Sequence, residues 1–62
     1  MEKGEVIDNL ELGRIRPDAG GGSVNFGPHS VRPKGSWPST NDRVEFERYV
    51  DFPAWAKVVR VV

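Results

Sequence analysis

The chain has 62 residues, nine Lys and Arg against nine Asp and Glu, no cysteine and one histidine. That length makes one domain, residues 1–62, and the missing cysteines exclude disulfides and thiolate metal sites, so packing and backbone pairing must hold it together. Zero formal net charge argues against a general polyanion binder, whose affinity rests on many phosphate contacts, yet permits a local basic face.

Met1 to Glu5 is charged and lacks the apolar core of a signal peptide, and no apolar run has the length of a membrane span. A cytoplasmic location without a membrane partner is therefore expected by default. Between Glu5 and Leu12 the apolar residues are Val6, Ile7, Leu10 and Leu12, a spacing that also fits one helical turn, closely bracketed by Gly4 and Gly13. Arg14-Ile15-Arg16 alternates and stops at Pro17. Asp18 to Gly22, with three consecutive glycines, reads as a turn that tolerates positive φ. Ser23-Val24-Asn25-Phe26 alternates with period two, so the segments flanking the glycines form a β-hairpin. Its inward set is Ile15, Val24 and Phe26; its outward set is Arg14, Arg16, Ser23 and Asn25.

From Gly27 to Asp42 the chain holds Pro28, Pro33, Gly35 and Pro38 and reads as a long loop, a feature that in compact domains is often functional. Arg43 to Val50 is the clearest strand, with Val44 and Phe46 on one face and Glu45 and Glu47 on the other. Asp51, Phe52 and Pro53 break it, and Ala54 to Val62 supplies a final Val-rich strand. Five short strands separated by turn signals predict an all-β domain, a small closed barrel or a sandwich.

The order of residues narrows this further. Ile15-Arg16-Pro17-Asp18, followed by glycines and then Ser23-Val24-Asn25-Phe26, resembles the cold-shock domain family. Gly4-Glu5-Val6 resembles the opening of that family's first strand, and Gly13-Arg14-Ile15 the end of its first ribonucleoprotein-like motif. Ser30-Val31, Asn41 to Glu47 and Ala56-Lys57-Val58 fall in the family's order. The resemblance runs from about Gly4 to Val62 and implies a five-stranded antiparallel Greek-key barrel of the oligonucleotide/oligosaccharide-binding (OB) type. It also implies binding of single-stranded RNA or DNA, without enzymatic activity or cofactor. The departures fall on the base-stacking positions: Ile7 replaces a Trp, Arg14 and Asn25 each replace a Phe, and Gly27 and Pro28 align with a His and a Phe.

If Ile15 points inward, Arg14 and Arg16 project from the open face, where a guanidinium can pair with phosphate and stack on a base. Asn25, directly across the hairpin, can read a base edge. Arg32 and Lys34 add charge to a modest basic face, and His29 adds a stacking or phosphate contact. The competing reading of Arg14, Arg16, Asn25 and His29 is solvated polar surface. Trp37 either caps one end of the barrel, the commoner fate of a large aromatic in a small domain, or reaches a base. Asp18, Asp42 and Asp51 sit at turns, while Glu45 and Glu47 favour solubility and cross-strand pairing with Lys57 or Arg60. His29 beside Ser30 is no triad, and the three glycines are no phosphate loop because no Gly-Lys-Ser/Thr follows.

Two functions are therefore expected. The first is a nucleic-acid-binding module using Arg14, Arg16, Asn25, His29, Arg32, Lys34 and Trp37. The second is a protein-interaction adaptor, monomeric or weakly dimeric, using Phe52, Trp55 and the final strand, by strand addition at an open edge. Neither paired carboxylates nor a nucleophile with its base supports an enzyme.

Overall fold

A computed structural model describes residues 1–62: six β-strands, one short 3-10 turn and no α-helix. The strands are β1 (Glu2–Asn9), β2 (Gly13–Pro17), β3 (Val24–Phe26), β4 (Val31–Arg32), β5 (Arg43–Arg48) and β6 (Ala56–Val61). They form one sheet in the order β3-β2-β1-β5-β6-β4. The sheet curls until β3 meets β6 through a parallel bridge between Asn25 and Trp55, which nearly closes a barrel. This arrangement is compatible with an OB-like Greek-key barrel, but with six strands rather than five. The third strand breaks at Gly27, turns once through Pro28–Ser30 and rejoins the same side of β6 as β4, parallel to it. Pro28 cannot donate to a ladder, and Pro33 stops β4 after two residues. The buried Ser30 Oγ donates to the Ala56 carbonyl at 2.8 Å and anchors the turn to β6.

Alternation sets the core. Ile15, Val24, Phe26, Val44 and Phe46 are fully buried, joined by Val6, Val31, Ala56 and Val59. Residues 2–9 are a strand, and the helical spacing of Val6, Ile7, Leu10 and Leu12 arises from a bulge. Val6 faces Ile15 and Asp8 faces Arg14, so Ile7 is the extra residue in β1. Leu10 lies beyond the strand, 82% exposed. A second bulge falls in β6, where Glu47 faces Val58 and Arg48 faces Ala56, leaving Lys57 unpaired. The β2–β3 loop turns at Gly20 and Gly21, both with positive φ (92° and 85°), as the glycine run predicts.

The long segment after β4 closes one end of the barrel. Trp37 packs on Phe26 with ring centroids 5.2 Å apart, and its Nε1–H donates to the Asn9 carbonyl at 2.9 Å. Asn9 in turn donates from Nδ2 to the Pro38 carbonyl at 3.0 Å. The Asn41 N–H donates to the Val6 carbonyl and the Val6 N–H to the Asp42 carbonyl. Trp37 is therefore the cap of the two alternatives, and the loop is stitched to β1 rather than free.

Across the sheet, Arg43 makes a two-pronged hydrogen-bonded ion pair with Asp18 in the turn after β2. Hydrogen bonding from Arg43 holds the Asp18 carboxyl below the usual range, helped by the charges of Arg43, Lys3 and Arg16 and opposed by desolvation. A carboxyl depressed in the folded state stabilises above its unfolded pKa of about 3.9, and that contribution is lost as pH falls through the folded value. Asp18→Asn is therefore expected to flatten the acid limb of stability below about pH 4. Urea midpoints of both proteins between pH 6 and pH 2 check this; parallel curves would show that the pair contributes nothing to acid sensitivity.

Candidate functional site

Register, rather than sequence proximity, assembles the outer face. Asp8 lies opposite Arg14, Arg14 opposite Asn25, and Asn25 bridges to Trp55, which makes one row across four segments. The Asn25 N–H donates to the Ala54 carbonyl at 2.8 Å and its Nδ2 reaches the same oxygen at 3.3 Å. Those bonds fix where Trp55 emerges.

Two open depressions flank the row. One, of about 460 Å³, is lined by Asp8, Leu10, Glu11, Leu12, Arg14 and Asn25. The other, of about 650 Å³, includes His29, Tyr49, Phe52, Trp55 and Lys57 in its walls. Its floor is a short loop held by its own backbone: the Trp55 N–H donates to the Phe52 carbonyl and the Tyr49 N–H to the Trp55 carbonyl. Arg48 ties this loop down, donating to the Pro53 carbonyl at 3.3 Å and pairing with Glu2 at 2.8 Å. Val50 and Phe52 stand 96% and 67% exposed at its tip. These two side chains, with Trp55, leave apolar surface exposed on a loop that its own backbone bonds hold in shape. The Trp55 indole N–H has no partner within the protein, whereas that of Trp37 does.

The expected site residues divide. Arg14 pairs with Asp8 at 3.0 Å and Arg16 with Glu5 at 2.5 Å, so the β1–β2 face is locally neutral rather than basic. Arg32 and Lys34 do not join them; Arg32 sits on β4 beside Arg60 of β6. Trp37 belongs to the barrel cap. His29 is exposed and its ring lies against Gly27, where an added Cβ would meet Cε1 at 3.1 Å. Thus His29, expected at a nucleic-acid face, groups with Phe52 and Trp55, expected at a protein-interaction surface. Tyr49, Leu10 and Leu12 were not expected at the site. Alternation predicts a strand from Arg43 to Val50, but β5 ends at Arg48 and leaves Tyr49 in the loop; at Leu10 and Leu12 the broken apolar spacing is the available signal. The final strand offers no edge for strand addition, because β6 is paired on both sides, with β5 and β4.

No three His, Cys, Asp or Glu side chains converge in the manner of a metal site, and no helix is long and apolar enough to cross a membrane. The site and barrel together define a small all-β protein with an exposed aromatic groove beside its β2–β3 face. No protein-family model matches the chain, and no curated protein matches its sequence.

Proposed function

We propose that this domain is a non-enzymatic, cytoplasmic module that binds single-stranded RNA or DNA across the β2–β3 face, in the manner its resemblance to cold-shock domains implies. One observation carries the reading: His29, Tyr49, Phe52 and Trp55 share a groove that opens beside Arg14 and Asn25. In OB barrels the face of the second and third strands, with the loops after the first and fourth, holds oligonucleotides. The corresponding loops here carry Leu10 and Leu12 on one side and Phe52 and Trp55 on the other. Stacking rings missing from the strand positions are thus supplied from the loop before β6. Arg14 and Arg16 contribute by exchanging an exposed carboxylate for a phosphate, at small cost because surface pairs are weak.

Stacking on one aromatic is worth about 1–3 kcal/mol per base, or about 5- to 150-fold in Kd. Trp55→Ala should weaken binding by that amount while the fold survives. In a titration with single-stranded oligonucleotide followed by NMR, the Trp55 indole signal should move and the Trp37 signal should stay. A flat titration at millimolar ligand would end the reading.

The exposed Val50 and Phe52 favour a second reading, a protein-interaction adaptor working through the same loop. It predicts that Phe52→Ala and Trp55→Ala release a protein partner while oligonucleotide leaves every amide signal in place.

A further inference from the structure

Four of the six arginines are neutralised by carboxylates: Arg14 by Asp8, Arg16 by Glu5, Arg43 by Asp18 and Arg48 by Glu2. The remaining two, Arg32 and Arg60, are direct partners across the parallel pairing of β4 and β6. Adjacent strands lie about 4.8 Å apart, and like charges placed directly opposite in a sheet repel. Glu45 of β5 is opposite Arg60 but forms no ion pair with it, and it is also opposite Lys3 of β1. The Arg32 guanidinium is held in place, its Nη1 donating to the His29 carbonyl at 2.7 Å and the Val31 carbonyl at 3.0 Å. Its Nε and Nη2 have no acceptor within the protein.

This pair continues a line that starts in the aromatic groove. His29 and Lys57 line the groove, and Arg32 and Arg60 follow three residues later on their respective segments. Along β6 that step is about 10 Å at 3.3 Å per residue. The bulge at Lys57 keeps its side chain exposed between the buried Ala56 and Val59. Glu47 and Asp51 line the same groove as Lys57 and Glu45 lies opposite Arg60, yet Lys57, Arg32 and Arg60 form no ion pair, so the cations left free on this side follow one line.

We infer that Arg32 and Arg60 hold consecutive phosphates of the single strand whose bases stack in the Trp55 groove. This rests on the nucleic-acid reading and extends it: beyond the groove and the face that carries Arg14 and Arg16, the strand continues along the β4–β6 seam. A guanidinium pair gives bidentate donors to phosphate oxygens, and relief of the Arg32–Arg60 repulsion adds to binding.

Each phosphate contact to a single strand adds about 0.7 to the slope of log affinity against log salt. Binding of a fluorescent oligothymidylate, read by anisotropy from about 50 to 200 mM salt, measures that slope. Arg32→Gln/Arg60→Gln should lower it by about 1.4, so the wild type loses about sevenfold more affinity over that range than the variant. Arg32→Lys/Arg60→Lys should restore most of the slope, and Trp55→Ala should weaken binding with the slope unchanged. Should the double variant fail to fold, either single Gln substitution must lower the slope by about 0.7. Binding by the wild type with an unchanged slope in the folded Gln variants overturns the seam assignment and leaves the groove standing. Absence of binding by the wild type overturns both.

Discussion

Gly13→Ala is expected to leave the domain largely unfolded, although it adds only one methyl group. Gly13 is the cross-strand partner of Phe26, and the tip of the Phe26 ring occupies the space a Gly13 side chain would take. An added Cβ would overlap the Cζ, Cε1 and Cε2 atoms at the tip of that ring. Phe26 cannot swing away freely, because it is fully buried and packs against Trp37. Overpacking costs about 1–3 kcal/mol and more where neighbours cannot give. A domain of this size has only a few kcal/mol of stability, and each kcal/mol moves Tm by about 4–8 °C. Thermal unfolding followed by near-UV circular dichroism should therefore show a fall of at least about 12 °C. Combining Gly13→Ala with Phe26→Leu should be less damaging than the sum of the two by about 1 kcal/mol or more, since the smaller side chain makes room. Strict additivity would show that the ring and the glycine do not interact.

Trp37→Ala should be the next most damaging change outside the buried core. The substitution removes the ring from Phe26 and the donor from the Asn9 carbonyl, releasing the loop that covers the barrel end. A fully buried Trp→Ala costs about 3–5 kcal/mol; Trp37 is half-buried, so about 2–3 kcal/mol is expected, read from urea midpoints. Trp37→Phe keeps the ring and loses the hydrogen bond, at about 1 kcal/mol. The contrast with Trp55 is the sharper test. Trp37→Ala is expected to act on stability and Trp55→Ala on binding. Unaltered stability in Trp37→Ala, with weakened oligonucleotide binding, would return Trp37 to the role of base contact.

These two tryptophans show what could be read from the residues. The alternation in residues 14–16, 23–26 and 43–47 sorts inward from outward side chains, because successive side chains on a strand point to opposite faces. Ile15, Val24, Phe26, Val44 and Phe46 are buried accordingly. The same rule fails at β1 and β6, where one extra residue, Ile7 or Lys57, shifts the phase. It says nothing about β4, since two residues between Ser30 and Pro33 have no period.

Local chemistry along the chain was thus sufficient for the all-β class, the hairpin with its glycine turn, most of the inward set and the absence of a net charge. Net charge is a matter of composition, and the other properties depend on side-chain period, proline and glycine, which act within a few residues. Tertiary structure alone decided which charges are spent and which are free. Asp8 reaches Arg14, and Arg32 meets Arg60, only through strand register. It also decided that Trp37 caps the barrel while Trp55 joins His29 in an open groove. The hydrogen bonds responsible, Asn25 to Ala54 and Trp37 to Asn9, span 29 and 28 residues. Such contacts form only when the sheet closes on itself, so no local pattern encodes them.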